Sequence, residues 1–181
     1  MKKIFALLLL IAFTLPGCEK DDICDESQNT TPRLVISFYD AASRQTLKKV
    51  TNLRVIADGQ DEPIVFFTTA VGEGRYRTSE STIKIPLNVS TDAVKFYFTN
   101  NDGNETFTNT DTLQFNYSRN NIYISRACGY SIFFLLNQGT DNPAYILNDN
   151  SPDSPEAWIK DIDVENYSLI SENETHLKIY F

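Results

Sequence analysis

The sequence predicts an all-β fold, an antiparallel β-sandwich of the immunoglobulin-like or Greek-key type. Short runs in which apolar and polar residues alternate recur along the chain, and Gly- and Asn-rich turns separate them. No stretch combines a 3.6-residue apolar period with helix caps. Closely spaced strands joined by such turns indicate hairpins, which are typical of a sandwich.

The first predicted strand shows the pattern most clearly, because Leu34, Ile36 and Phe38 fall on one face of an extended chain. Nine similar runs follow: 53–57, 64–68, 82–87, 93–99, 112–117, 121–125, 130–136, 158–165 and 176–181. The predicted turns include 58–59, 101–104 and 118–121, which are rich in Gly, Asn and Asp. Residues 139–157 contain three prolines and form the longest predicted loop.

Residues 1–17 are predicted to be a lipoprotein signal peptide. Lys2 and Lys3 precede the apolar run 4–13, which is far shorter than the roughly 20 residues of a membrane-spanning helix. The run ends in Leu15-Pro16-Gly17-Cys18, which resembles a lipobox, so Cys18 is the predicted lipidation site. The alternative is an ordinary secretory signal that happens to end near a cysteine.

The predicted mature chain has two parts, an acidic tether at 18–32 and one sandwich domain at 33–181. Without Lys2 and Lys3 the 16 basic residues fall to 14 against 24 acidic ones, a formal charge near −10. Such a surface repels nucleic acid, so no nucleic-acid partner is predicted. We expect outer-membrane localisation through acylated Cys18, on the periplasmic or the cell-surface face, with an unidentified envelope protein or glycan as partner.

Cys24 and Cys128 remain once Cys18 is acylated. Disulfides persist outside the cytoplasm, so we expect these two cysteines to pair. Two separate thiols, one buried and one on the tether, are the alternative.

The residues that bear reactive groups do not form a recognisable catalytic or metal-binding pattern, so no catalytic residue, metal or cofactor is predicted. His176 is the sole histidine, and alternation predicts that it is exposed or half exposed on the last strand. Asp161, Asp163 and Glu165 share one face of a predicted strand, which is either a solvated face or a weak cation site. The loop 148–153 lacks the Gly and distal Glu of an EF-hand.

Two alternatives to a non-catalytic binding or structural role stay open. Several aromatic residues, Tyr123 among them, would serve a carbohydrate-binding module if they formed an exposed row. A small hydrolase would need a deep pocket holding a carboxylate with a raised pKa. Arg126, beside Cys128, either braces the disulfide turn or holds an anion.

The chain resembles an uncharacterised family of Bacteroidota lipoproteins, a domain of unknown function, over nearly the whole mature chain. The resemblance rests on Cys24 and on the segments 31–40, 85–88, 125–130 and 176–181. It supports lipidation and the pairing of the two cysteines, and it implies no activity.

Two short motifs resemble signals of the same phylum. Glu19, Lys20, Asp21 and Asp22 resemble a signal that exports lipoproteins to the outer face of the outer membrane, although a merely solvated linker has the same composition. Asp111-Thr112-Leu113 resembles an O-glycosylation site, or Thr112 simply lies in a strand.

Overall fold

The computed structural model describes Cys24, residues 31–148 and residues 157–181. Two compact units are distinguished. The larger unit comprises Thr31–Asn121 and Ile132–Phe181, and the smaller contains Cys24 together with Ile122–Ser131.

The described chain contains eleven strands and one short 3-10 helix, Gly72–Tyr76. The strands are β1 Leu34–Tyr39, β2 Leu53–Ala57, β3 Arg77–Thr78, β4 Thr82–Ile85, β5 Ala93–Asn100, β6 Asn109–Ser125, β7 Gly129–Leu136, β8 Tyr145–Leu147, β9 Asp161–Val164, β10 Ser168–Leu169 and β11 Leu177–Tyr180. They form two largely antiparallel sheets, and the predicted β-sandwich is confirmed.

The smaller sheet has four strands in the order β4-β1-β11-β9. Strand β1 pairs in parallel with β11, with Ile36 opposite Leu177 and Phe38 opposite Ile179. The other two pairings in this sheet are antiparallel. The first and last strands of the described sandwich therefore lie side by side at the centre of one sheet.

The larger sheet has the order β10-β7-β6-β5-β2-β3, and β8 also pairs with β6. Its longest pairing joins β5 and β6, where Ala93 to Asn100 align with Asn116 to Asn109. The turn between these strands is the predicted one at 101–104. Asn101 and Gly103 have φ values of 56° and 87°, a left-handed region that Gly and Asn tolerate best.

The hydrophobic core lies between the two sheets of the larger unit. The β1 residues Leu34, Ile36 and Phe38 are fully buried, as the alternation predicted, and they pack in one cluster with residues of the other sheet such as Phe96 and Leu113. Burying this apolar area is the main stabilising contribution to the fold.

Some predicted elements are wrong in their bounds or type. Residues 64–68 form no strand: the Ile64 amide donates to the Val55 carbonyl of β2, but the amides of Phe66 and Phe67 both donate to the Arg75 carbonyl, which does not continue a strand ladder. The predicted turn 118–121 lies inside the continuous strand β6. The run 158–165 is a strand from Asp161 to Val164 alone, and the predicted loop 139–157 contains β8.

Candidate functional site

The most distinctive region for function is the hairpin end, defined as Cys24 together with Ile122–Ser131, the residues around the turn between β6 and β7. Cys24 and Cys128 form a disulfide whose Cα atoms are 4.9 Å apart, which confirms the predicted pair. The Cys128 amide donates to the Ser125 hydroxyl at 3.0 Å, which fixes the turn locally. Gly129 follows at φ 70°, where a side chain would be strained.

The hairpin end also presents uncovered aromatic side chains. Tyr123 and Tyr130 are 55% and 70% exposed, and their ring centroids are 5.4 Å apart at an angle of 68°. Ile122, which precedes Tyr123 on β6, is 45% exposed. Arg126 is exposed in the turn. The region therefore combines amphipathic rings, an apolar side chain and one cation on an accessible surface.

The predicted lipidation site Cys18 and the predicted export residues Glu19, Lys20, Asp21 and Asp22 lie outside the described residues. Their roles stay predictions. Before residue 31, the structure describes Cys24 alone.

The carboxylates of β9 face a cation from a distant loop. Arg44 donates to Asp161 at 2.6 Å and to Asp163 at 2.9 Å, and its guanidinium lies 3.7 Å from the centroid of the Tyr180 ring. The hydrogen bond from Arg44 lowers the pKa of Asp161. Glu165 pairs with Lys178 at 3.0 Å.

The predicted alternation of this strand is correct, and the solvated-face interpretation fits better than a cation site. Each of the three carboxylates already pairs with a protein cation, Arg44 or Lys178. Within the described residues, no group of three or more His, Cys, Asp or Glu side chains is arranged to hold a metal ion.

A second ionic cluster fastens the start of β1. Glu172 accepts two hydrogen bonds from the Arg33 side chain, at 2.9 and 2.8 Å, and one from the Arg33 amide at 3.0 Å. Lys84 lies 3.1 Å from the same carboxylate. The Arg33 hydrogen bonds, opposed in part by burial, lower the pKa of Glu172 to about 2.

The prediction that His176 is exposed is wrong, because its side chain is fully buried. Nδ1 accepts a hydrogen bond from the Val35 amide at 2.9 Å, so the neutral ring carries its proton on Nε2. Nε2 is buried without a hydrogen-bond partner. Burial lowers the pKa of His176, although Glu174, the Ser171 carbonyl and Glu172 oppose that shift. The His176 ring therefore has a structural role, because it accepts a backbone hydrogen bond from Val35 of β1.

A buried carboxylate on β6 holds the segment that leads into β9, and the sequence analysis missed this role. Asp111 is 1% exposed and accepts from the Asn148 side chain at 2.9 Å and the Ile159 amide at 2.8 Å. Next to it, the Trp158 indole donates to the Phe98 carbonyl at 3.0 Å. The signal that could have revealed this role is alternation: Asp111 falls on the same strand face as the apolar Leu113, which places an acid on a core face.

Of the Asp111-Thr112-Leu113 motif, the middle residue is half-buried within β6 and both neighbours are buried. Of the predicted loop 148–153, Asn148 alone lies in the described part of the chain. Its side chain is engaged with the Thr112 amide, at 2.8 Å, and with Asp111. Asn148 is therefore a structural contact there.

A shallow cleft of about 300 Å³ opens between the 57–64 segment and the start of the loop after β4. Ile64 and Leu87 form part of its apolar lining, and Asp58, Gln60 and Glu62 contribute polar groups. Tyr97 donates to Asp58 at 3.0 Å. The cleft is open and acidic, and Pro86, Leu87 and Asn88 of the 85–88 segment are part of its lining.

The described residues include no helix of the length and apolar character that crossing a membrane requires. Comparison with known families matches residues 52–181 to a family of unknown function, DUF6452. The predicted resemblance to a domain of unknown function is confirmed over that range, while β1 and Cys24 precede it. No curated protein and no solved structure matches the chain.

Proposed function

The chain belongs to the DUF6452 family of unknown function, and from this premise we propose that it is a lipid-anchored protein of the cell envelope with a non-catalytic binding or structural role. In this proposal the signal at 1–17 is removed, Cys18 is acylated, and the sandwich works outside the cytoplasm on a membrane surface. Bacteroidota origin and outer-membrane placement belong to the same proposal.

The observation that carries the proposal is the disulfide between Cys24 and Cys128. Structural disulfides persist in oxidising compartments and are rare in the cytosol. The signal-like segment that ends at Cys18 independently indicates export, and Cys24 follows Cys18 by six residues. The bond and the signal therefore agree on an extracytoplasmic location.

A non-catalytic role is supported by the direction in which the pKa values of three carboxylates are shifted. Hydrogen bonds to backbone amides and to arginine lower the pKa values of Asp40, Asp161 and Glu172. A hydrolase that uses a carboxylic acid as proton donor needs a raised pKa instead. The hydrolase alternative is tested by incubating the purified protein with ester, peptide and glycoside substrates.

The carbohydrate-binding alternative finds some support in Tyr123 and Tyr130, which are exposed aromatics near a hairpin turn. Their rings are inclined by 68°, however, so they do not form the flat row on which successive sugar rings stack. Binding to a panel of polysaccharides, lost in Tyr123→Ala, would favour this alternative over a structural role.

The anchor is tested by intact-mass analysis of the protein purified from membranes of the producing bacterium. We expect a mature chain that begins at Cys18 and carries diacylglycerol, with or without an amide-linked acyl chain. Cys18→Ser should abolish both processing and membrane retention. An unmodified Cys18 in a membrane-free protein would refute the proposal.

The face of the membrane is tested by protease treatment of intact cells. Native protein exposed at the surface should be digested, whereas a variant with Lys20, Asp21 and Asp22 changed to alanine should be protected. Protection of both forms would place the protein in the periplasm and remove the export role from these residues.

A further inference from the structure

The hairpin end has large side chains whose apolar surface is exposed to solvent. Tyr130 and Tyr123 contact each other and are 70% and 55% exposed, and Ile122, on the opposite face of β6, is 45% exposed. Tyrosine has an apolar ring and a polar hydroxyl, a combination that favours the boundary between water and lipid. Tyr123 and Tyr130 also contact each other, which limits the entropy that a bound state would cost.

The disulfide gives this surface a short covalent route to the predicted anchor. Six residue steps separate Cys18 from Cys24, a span of at most about 20 Å even when fully extended. The disulfide continues the route to Cys128, and Tyr130 lies two residues further on. An acyl group on Cys18 would therefore hold the hairpin end near the bilayer at high effective concentration.

We propose that the hairpin end docks on the lipid bilayer, with Tyr123 and Tyr130 entering the headgroup region. This proposal rests on the acylation of Cys18 proposed above and adds a second, non-covalent contact. The disulfide then serves to deliver an amphipathic surface to the membrane in a fixed orientation.

Charge alone does not explain such a contact. Residues 19–26 carry five acidic side chains and one lysine, while the hairpin turn offers the single cation Arg126. Anionic headgroups repel this balance, so apolar insertion is the driving force. Docking should accordingly persist on uncharged lipids and in high salt.

The test places an indole on the docking surface of the acylated, full-length mature protein. A Tyr130→Trp variant is reconstituted in phosphatidylcholine vesicles with brominated acyl chains, and the emission of the native protein, from Trp158, is subtracted. Interfacial groups lie about 5–10 Å into the headgroup and acyl boundary, so we expect about twofold quenching of the new indole and a blue shift.

Phe107→Trp is the matched control, because Phe107 is 68% exposed on the turn between β5 and β6. Its indole should stay unquenched. A further substitution, Tyr123→Ser in the Tyr130→Trp background, should reduce the quenching at position 130 while the fold, followed by circular dichroism, is unchanged.

Intact-mass analysis of each sample separates the two proposals. An acylated, vesicle-bound protein whose position-130 indole is not quenched refutes docking and leaves the anchor intact, as does equal quenching at positions 107 and 130. Loss of quenching together with a tyrosine-dependent dimer in light scattering would assign the surface to a second copy. A protein without acylation refutes the anchor and the docking together.

Discussion

Two tyrosine pairs, each joining neighbouring strands, are used in opposite ways in this molecule. Tyr39 and Tyr180 lie opposite each other on β1 and β11, with ring centroids 5.8 Å apart. Tyr180 is 3% exposed, and Arg44 and Lys178 lie over the two rings. Tyr123 and Tyr130 are almost equally close, at 5.4 Å, yet mostly exposed.

Tyrosine therefore stabilises the fold in one place and forms part of an outer surface in the other. At the β1–β11 pair, cations and carboxylates cover the rings, and strand pairing holds them. At the hairpin end, the disulfide and the paired strands β6 and β7 hold the turn, and both rings stay mostly exposed. Changes to the first pair should cost stability, and changes to the second should cost binding.

The largest effect is expected from removing the disulfide. The bond spans 104 residues, and a loop near that length contributes about 4–5 kcal/mol in the chain-entropy model. Cys24→Ala with Cys128→Ala should therefore lower the urea midpoint strongly and make it insensitive to reductant. An unchanged midpoint would show that the covalent bond is not what holds the hairpin end.

Next in size is the loss of the covered pair. Tyr180→Ala removes a buried ring that also donates to Asp163 at 3.0 Å, and we expect a loss of about 3 kcal/mol in the free energy of unfolding. Tyr130→Ala is the control and should change that free energy by less than about 0.5 kcal/mol. Equal losses in chemical denaturation would contradict the comparison.

A smaller effect is expected from the ionic cluster beside β1. The folded pKa of Glu172 is about 2, below its usual 4.5, so its stabilisation is present above pH 4.5 and disappears as the pH falls toward 2. Because Arg33 and Lys84 are about half exposed, we expect Glu172→Gln to cost about 1–2 kcal/mol at neutral pH. The variant should also flatten the stability curve between pH 4.5 and 2, measured by urea unfolding at each pH.

His176 should make the same region sensitive to milder acid. Its folded pKa lies below 6.5, so the unfolded chain binds the proton more readily and stability falls as the pH drops below 6.5. Hydrogen exchange of the Val35 amide, which donates to this ring, should accelerate over that range. His176→Gln should remove the pH dependence above pH 5, and a persistent slope would assign it to another group.

The smallest effect is expected from Arg44, whose ion pairs are exposed to solvent. Arg44→Gln should lower the melting temperature slightly in dilute buffer. The difference from the native protein should shrink in about 1 M NaCl, where the Debye length is near 3 Å. A salt-independent loss would indicate that stacking on Tyr180, rather than charge, is what Arg44 contributes.

Local residue patterns were enough to predict the fold class and much of the core. Alternation fixes which side chains can share a face, so Leu34, Ile36 and Phe38 were correctly placed inside. Turn chemistry is equally local, and the turn at 101–104 formed where Asn and Gly permit positive φ. The disulfide could also be predicted, because the expected export of the chain leaves two cysteines in an oxidising compartment.

The tertiary structure alone decided which strand edges are occupied and which polar groups are buried. The 64–68 run has the composition of a strand, but the amides of Phe66 and Phe67 donate to the Arg75 carbonyl instead of to a neighbouring strand. His176 alternates as a surface residue would, yet pairing beside Val35 buries it. Both outcomes depend on contacts between separate segments of the chain. His176 and Val35, for example, are more than a hundred residues apart. Local residue patterns contain no information about such contacts.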